Sequence, residues 1–181
     1  MEDKGTVVLT TERLILRRFT VSDAQDMFEN WASDPDVTKF LTWQTHGDLE
    51  TTRSLMERWV ASYARADFYQ WAIVLKKIDQ PIGSISVVRR DETSEEVEIG
   101  YCIGKAWWGQ GITAEAFGAV IDFLFGEVGV KRIVAKHDVN NPNSGKVMQK
   151  CGLKYEKTMP GAGRNNSNPN CDLAVYSLQK A

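Results

Sequence analysis

Residues 107–115 read WWGQGITAE, in which two tryptophans and a Gly-Gln-Gly turn precede the start of a helix. The overlapping segment 114–125, AEAFGAVIDFLF, is apolar on nearly all sides, and this pattern predicts a buried helix. Glycine allows a ligand to approach the main chain closely, and the first amide groups of a helix bind anions with help from the helix dipole. The stretch therefore predicts a pyrophosphate-binding cradle of backbone amides from Gly109 to Ala114, which needs no basic side chain.

The same glycines satisfy a second pattern. GQGITA (109–114) matches the G-x-G-x-x-[G/A] fingerprint of dinucleotide-binding folds. In those folds the first glycine directly follows a strand, whereas GKAWW (104–108) separates Gly109 from a strand that ends at Ile103. Too little chain follows Asp138 to build the second half of such a fold. An ordinary helix-entry turn is the other alternative, and the glycines alone do not exclude it.

The remaining sequence alternates strand and helix patterns without a repeat or a linker, which predicts one mixed α/β domain over residues 1–181. Short links between the middle three strands make antiparallel hairpins the simplest connection. Helices are expected where apolar residues recur at helical spacing behind a capping residue. The expected strands are 14–19, 69–75, 81–89, 96–103 and 132–139, followed by two that flank a polar, unpacked loop at 160–170; the expected helices begin at Ser22 with Gln25 as capping partner, span 48–64 and 114–125, and begin at Asn141.

The charge balance and the cysteines limit the classes of partner. With 22 basic and 24 acidic residues the formal net charge is −2, and without a dense Lys/Arg block we expect no nucleic-acid partner. The N-terminus lacks the order of a signal peptide and no apolar run could span a bilayer, so we expect no membrane partner and a cytoplasmic location. Cys102, Cys151 and Cys171 have neither a disulfide pattern nor metal-ligand spacing with the two histidines, so we expect reduced thiols and no metal.

Several motifs occur in an order that is typical of one family. EIGYCI (98–103) leads through a bulky link into GQGITAEA (109–116), and a later strand is followed by N-x-x-S (141–144) and KCGL (150–153). Together these motifs resemble the GNAT superfamily of N-acetyltransferases. The segment TERLILRRFTVSDA (11–24) and the opening stretch WWGQGITAEA are typical of its RimJ/RimL-type branch, known for acetylating N-terminal amines of ribosomal proteins.

The resemblance covers nearly the whole chain and implies a single-domain fold, with a central mixed, mostly antiparallel sheet, a splayed strand pair and flanking helices. It also implies acetyl-CoA as co-substrate, bound where the strand ending at Ile103 separates from the strand starting near Arg132. The backbone of Tyr101 and Ile103 would pair with the pantetheine arm like an added strand. Trp108 stands where the family usually has Arg or Gln. The pyrophosphate would bind Gly109, Gln110, Gly111, Ile112, Thr113 and Ala114.

Amide formation needs a neutral amine, a polarised thioester carbonyl and a leaving thiolate. Glu98 lies on the strand that should face the thioester, and we expect it to act as a general base, directly or through a water; a solvated surface carboxylate is the alternative. Many family members have a tyrosine as acid at the position of Met148, and the family comparison suggests Ser144 as its substitute, with a helix-capping hydroxyl as the alternative. Asn141 is expected to cap its helix and to bond the pantetheine. Glu115 is expected to have a structural partner inside the protein.

The acceptor site is expected to lie between the two early helices, the segment 40–47 and the loop 160–170. Trp43, Trp59 and Tyr63 are its expected substrate contacts, with core positions as the alternative. The expected acceptor is a protein or peptide N-terminal α-amine that attacks directly in a ternary complex. A small amine (a polyamine, an aminoglycoside or an amino acid) and a non-catalytic acetyl-CoA sensor remain alternatives. We expect a monomer or a homodimer.

Overall fold

The computed structural model describes residues 1–180 and contains an eight-stranded sheet with the order β1-β2-β3-β4-β5-β6-β8-β7. Neighbouring strands are antiparallel, except for the parallel pair β5 and β6. The sheet is therefore mixed and mostly antiparallel, as expected. The strands are β1 Leu9–Thr10, β2 Leu14–Arg17, β3 Gln70–Leu75, β4 Gln80–Asp91, β5 Glu96–Ile103, β6 Arg132–Asp138, β7 Lys154–Gly163 and β8 Cys171–Gln179.

Helices flank the sheet, and two of them end in a wider turn of the π type. Across the described residues, no helix is both long enough and apolar enough to span a membrane. The helices are α1 Ala24–Met27, entered through a 3-10 turn at Val21–Asp23 and extended by a π turn at Phe28–Ala32; α2 Pro35–Thr38; α3 Leu49–Ser62; α4 Ile112–Phe123, extended by a π turn at Leu124–Val128; and α5 Pro142–Lys150.

The start of the first helical segment differs from the prediction. The chain turns into the helix at Thr20, whose N–H donates to the carboxylate of Asp23 at 2.8 Å, while the N–H of Asp23 donates to the carbonyl of Thr20 at 3.0 Å. The expected pair of Ser22 and Gln25 is therefore wrong by two residues. Arg17 Nη1, from the preceding strand, donates to the same carboxylate at 2.8 Å, so Asp23 is held from two sides. α3 begins as expected behind Asp48, whose side chain accepts from the N–H of Thr51 at 2.7 Å.

The polar loop near the C-terminus is shorter and better ordered than the sequence predicts. Residues 160–163 belong to β7, which pairs with β8 up to Gly163 opposite Cys171. The connecting loop is thus 164–170, and its asparagines make hydrogen bonds to other segments. A segment rich in Gly and Asn cannot form a hydrophobic core, but its side chains can hold it in place through hydrogen bonds. The expectation of an unpacked loop is therefore wrong.

Each face of the sheet carries its own hydrophobic core. α4 and α5 cover one face, the α4 face, where Phe117 and Met148 are buried. α1 and α3 cover part of the opposite face, the α3 face, where Trp31 and Met56 are buried. Because side chains alternate along a strand, the odd-numbered residues of β5 point to the α4 face and Glu98 points to the α3 face.

Tyr63 joins α3 to the sheet. Its side chain is only 9% exposed, and its hydroxyl accepts from the N–H of Phe19 at 2.9 Å and donates to the carbonyl of Gln70 at 2.7 Å. Burial raises the pKa of Tyr63 to about 12, so the hydroxyl stays protonated and keeps both bonds at physiological pH. These two bonds hold the end of α3 against the segment after β2 and the start of β3.

Replacing Tyr63 with Phe should lower the free energy of unfolding by about 1–3 kcal/mol, because a buried N–H and a buried carbonyl lose their partner. Urea denaturation followed by circular dichroism measures this loss. Tyr155→Phe is the matched control, since Tyr155 is 55% exposed and its change should cost less than about 0.5 kcal/mol. Equal stability of Tyr63→Phe and wild type would contradict a stabilising role for the two hydrogen bonds of the Tyr63 hydroxyl.

Candidate active site

β5 and β6 separate soon after they begin. Residues 96–98 pair with residues 132–134, and in the described chain the two strands do not pair beyond that point. β5 nevertheless continues to Ile103 and β6 to Asp138, each held by its other neighbour in the sheet. A wedge-shaped gap therefore opens inside the sheet, with Glu98 at its narrow end.

The edge of β5 that borders this gap carries backbone groups of Tyr101 and Ile103. The N–H of Gly104 donates to the carbonyl of Ile82 on β4 at 2.8 Å. Hydrogen-bonded and non-hydrogen-bonded pairs alternate along an antiparallel ladder, so Tyr101 and Ile103 direct their amide and carbonyl groups away from β4 and into the gap. The indole Nε1 of Trp108 donates to the carbonyl of Ile103 at 2.9 Å. The N–H groups of Tyr101 and Ile103 remain available to an extended chain lying in the gap.

The bulky link after β5 packs directly on the first helical segment. A Cβ on Gly104 would lie 2.3 Å from the carbonyl oxygen of Asn30 and 2.6 Å from the ring of Trp107, so no larger residue fits there. Asn30 lies in the π turn after α1, and its side chain donates to the carbonyl of Pro81 at 2.7 Å. The link therefore fixes the start of the glycine turn relative to α1 and β4.

The glycine turn has the geometry of an amide cradle. Gly109 and Gly111 adopt φ of +73° and +74°, a left-handed conformation that favours glycine. α4 begins at Ile112 behind Gly111, and the N–H of Glu115 donates to the carbonyl of Gly111 at 3.1 Å. The amides of Ile112, Thr113 and Ala114 precede that bond, so they have no acceptor within the helix. Open space beside Gly109 and free helix-start amides fit an anionic group such as a pyrophosphate.

Two cations stand beside the cradle, although the cradle predicted from the sequence needs no basic side chain. A Cβ on Gly111 would lie 3.0 Å from Lys150 Nζ and 3.7 Å from Arg13 Nη2. Arg13 also donates to the carbonyl of Gln110 at 2.9 Å, while the Gln110 side chain turns back to the carbonyl of Ala106 at 3.1 Å. Arg13 and Lys150 belong to the motifs TERL and KCGL, but no spacing rule connects either one with a glycine so distant along the chain.

Glu115 has the structural partners that the sequence predicts. It accepts from Thr11 Oγ1 at 2.6 Å, from the N–H of Arg13 at 2.9 Å and from Arg13 Nε at 2.6 Å. Burial alone would raise the pKa of Glu115, but these hydrogen bonds outweigh it and hold the pKa below its ordinary value. The carboxylate thereby ties α4 to the turn between β1 and β2.

Glu98 lies at the narrow end of the gap and is held by two cations. Lys136 Nζ, on the diverging strand, approaches its carboxylate at 2.8 Å, and Arg89 Nε approaches it at 3.3 Å. The Glu98 side chain is 16% exposed. Glu98 is therefore an ion-paired carboxylate facing the α3 face, placed where a group in the gap could reach it.

Ser144 and Tyr101 meet across the α4 face of the gap. Ser144 Oγ donates to the hydroxyl of Tyr101 at 3.1 Å, and that hydroxyl donates to the carbonyl of Ser144 at 2.9 Å. Burial raises the pKa of Tyr101 well above its ordinary value, so the pair is neutral. Asn141 stands at the N-cap of α5, but its side chain does not make the capping bond that the sequence predicts. Met148 is buried in the core.

The three aromatic residues predicted at the acceptor site differ in their surroundings. Trp43 is half-buried, with its ring centroid 5.1 Å from that of His46. Trp59 packs on Phe19 with a centroid distance of 5.0 Å. A substrate contact through the Tyr63 hydroxyl would break both of its hydrogen bonds, so Tyr63 is the least suited of the three to the predicted role.

The loop 164–170 bridges the α3 face from the segment after α2 to the end of β6. Asn166 Nδ2 donates to the carbonyls of Thr38 and Trp43, both at 2.8 Å. Asn165 Nδ2 donates to the carboxylate of Asp138 at 2.8 Å. We call this bridge the asparagine clasp. It ties the backbone of Trp43 to Asp138, which ends β6 at the wide end of the gap.

Comparison with known proteins identifies the family and the fold of the chain. A family model described as "Acetyltransferase (GNAT) domain" matches residues 13–154. The chain is 30% identical over 148 residues to the uncharacterized N-acetyltransferase p20 of Bacillus licheniformis, covering 82% of this chain and 83% of that protein. It is 32% identical over 107 residues to the ribosomal-protein-serine acetyltransferase of Escherichia coli, covering 59% of each chain. The fold resembles that of RimL, a ribosomal L7/L12 alpha-N-protein acetyltransferase solved with coenzyme A, with a TM-score of 0.85, 20% identity and coverage of 96% of this chain and 98% of that one.

Replacing Gly111 with Val should raise the dissociation constant of acetyl-CoA by at least about tenfold, because a β-branched residue strains this backbone and crowds the cradle. Calorimetry measures the binding, and circular dichroism should show an intact fold. Gly129→Val is the control: Gly129 has φ of +78° with open space around it, so it carries the same strain without touching the cradle. Equal weakening by both variants, or unfolding of Gly111→Val alone, would favour a plain turn.

Proposed function

Because the chain belongs to the GNAT acetyltransferase family, we propose that it acetylates the N-terminal α-amine of a protein or peptide by direct attack in a ternary complex. The protein is an acetyl-CoA-dependent N-acetyltransferase, which transfers the acetyl group to an amine. The α-amine as acceptor is our proposal. The observation that carries it is the ion pairing of Glu98 with Lys136 and Arg89.

The ion pairs matter because acceptors differ in how much help they need to lose a proton. An α-amine with a pKa near 8 is about 10% neutral at pH 7, whereas a lysine amine with a pKa near 10.4 is neutral only about 0.04% of the time. Lys136 and Arg89 contact the Glu98 carboxylate, so accepting a proton there disrupts two ion pairs. An α-amine that is already partly neutral depends on this step less than a lysine amine does.

Bound acetyl-CoA supplies the thioester carbonyl that the amine attacks. The chain's own groups hold and orient the reactants: the backbone of Tyr101 and Ile103 pairs with the pantetheine arm along the gap, and the amides from Gly109 to Ala114 hold the pyrophosphate. Glu98 accepts the proton of the attacking amine. On the opposite face, the hydroxyl of Ser144, bonded to Tyr101, donates a hydrogen bond to the sulfur of coenzyme A, which leaves as a thiolate and takes its proton from water. Holding the two reactants together contributes an effective concentration on the order of 10⁵ M or more, so positioning supplies most of the rate.

The acceptor approaches from the α3 face, opposite the helices that flank the cradle. The asparagine clasp ties the segment of Trp43 to the end of β6, so it bounds the approach at the wide end of the gap. A bounded approach suits the narrow end of a peptide, with Trp43 and Trp59 as side-chain contacts. The names of the E. coli relative and of RimL describe acetylation of ribosomal proteins, and we propose the same substrate class for this chain. We also propose that the protein acts in the cytoplasm, as a monomer or a homodimer.

A substrate screen tests the acceptor class. Peptides with free Ser or Ala N-termini are compared with Nα-blocked lysine peptides, polyamines, aminoglycosides and free amino acids, and release of the coenzyme A thiol is measured. We expect turnover with the free N-termini and at most trace turnover with blocked lysine peptides. Faster turnover of a small amine than of any peptide would replace the proposed acceptor with a small molecule.

The role of Glu98 is tested by Glu98→Gln, which should lower kcat about 10²-fold at pH 7, the low end for general-base help, with unchanged acetyl-CoA affinity. The loss should shrink as the pH rises toward 9, because more of the α-amine is then neutral without assistance. Glu96→Gln is the control, because Glu96 lies on the same face two residues further from the opening and also pairs with Arg89. If Glu98→Gln turns over at the wild-type rate at pH 7, Glu98 is not the general base, and positioning of the two reactants accounts for the rate alone.

A further inference from the structure

We infer that Val88 contacts the first side chain of the acceptor and thereby sets the preference of the enzyme among N-terminal residues. This inference deepens the proposed function and rests on its acceptor, a peptide α-amine that approaches from the α3 face. Val88 is 59% exposed and lies on β4, next to the strand that carries Glu98. Single exposed valines are common on protein surfaces, but the sheet places this one beside the candidate base.

A β-bulge turns Val88 toward the α3 face. Val87 pairs with Ile99 and Arg89 pairs with Glu98, which makes Val88 an extra residue between the two pairs. At a bulge, two residues of one strand oppose a single residue of its neighbour, and the strand redirects a side chain there. Val88 and Arg89 thus both lie opposite Glu98, and Arg89 uses this position to pair with the Glu98 carboxylate at 3.3 Å.

The side chain of Val88 lies over Gly100. A Cβ on Gly100 would lie 2.9 Å from Cγ1 of Val88 and 3.9 Å from Cγ2. Gly100 follows Glu98 by two residues on β5, so it faces the same side of the sheet. It also lies just beyond the last residue of β5 that pairs with β6. Val88 is therefore an apolar wall beside Glu98, at the point where the edge of β5 becomes free.

An amine that reaches Glu98 brings its α-carbon and first side chain to this wall. On the proposed mode of binding, the pantetheine arm lies in the gap, on the other side of β5 from β4, so Val88 faces the acceptor and not the cofactor. The charged neighbours are engaged, because Arg89 and Lys136 both hold the Glu98 carboxylate. An apolar first side chain gains from contact with Val88, by about fourfold for each methyl group that is buried.

The experiment compares kcat/KM for peptides that begin with Gly, Ala or Val and are otherwise identical, using wild type, Val88→Ala and Val8→Ala. Val8 is 65% exposed and precedes β1, four strands away from β5 in the sheet, which makes Val8→Ala the matched control. We expect Val88→Ala to lower kcat/KM for the Val peptide by about three- to tenfold relative to the Gly peptide, which has no side chain that could lose the contact. Val8→Ala should keep the wild-type ratios, and calorimetry should show unchanged acetyl-CoA affinity for both variants.

A second variant tests the position of Val88 over Gly100. Gly100→Ala places a methyl group 2.9 Å from Cγ1 of Val88, so the valine must move. We expect this change to alter the ratio of Val to Gly peptide turnover by at least about threefold in the wild-type background. In the Val88→Ala background the same change should alter the ratio by less than about 1.5-fold, because the methyl group that it meets is gone.

Two results would overturn the inference while peptide N-termini are still acetylated. One is an equal effect of Val88→Ala on all three peptides, and the other is no effect on any of them. Either result leaves the proposed function intact, because the acceptor is then still an α-amine. If wild type acetylates small amines but no peptide N-terminus, the proposed function is contradicted and the inference falls with it.

Discussion

β5 and β6 pair only at their first three residues, and the arrangement of the site follows from this early separation. Buried amide and carbonyl groups need partners, and a strand inside a sheet normally finds them on both sides. Beyond Glu98, β5 has a partner only in β4, so its other edge offers hydrogen bonds to a ligand. An extended amide chain such as the pantetheine arm can take the place of the missing strand. The cradle lies just beyond the end of this edge, and Glu98 at its beginning.

The gap is held open by packing and hydrogen bonds on both faces of the sheet. On the α4 face, Tyr101 reaches Ser144 at the start of α5. On the α3 face, the asparagine clasp ties Asp138, at the end of β6, to the segment after α2. The bulky link packs Gly104 against Asn30, which explains why glycines and tryptophans stand together before α4. The tryptophans position the turn, and the glycines let it expose its amides.

Local patterns in the sequence predict most of the elements and the sites that are continuous in the chain. β5 occupies 96–103 as expected, and the motif at 109–114 forms the glycine turn at the start of α4. Features that depend on tertiary contacts escaped prediction. Lys150 and Arg13 reach Gly111 from distant segments of the chain. Asn165 and Asn166, which in the sequence are typical of an irregular loop, link that loop to other segments. Their side-chain amides can donate to any carbonyl or carboxylate that the fold brings near.

We propose that acetyl-CoA completes the sheet along the free edge of β5. Amide hydrogen exchange, resolved by residue with NMR, reports whether the N–H groups of Tyr101 and Ile103 acquire a partner. We expect saturating acetyl-CoA to slow exchange at one or both of these amides by at least about tenfold, while the β3–β4 hairpin is unchanged. Unchanged exchange at both amides, with calorimetry showing the protein saturated, would contradict it.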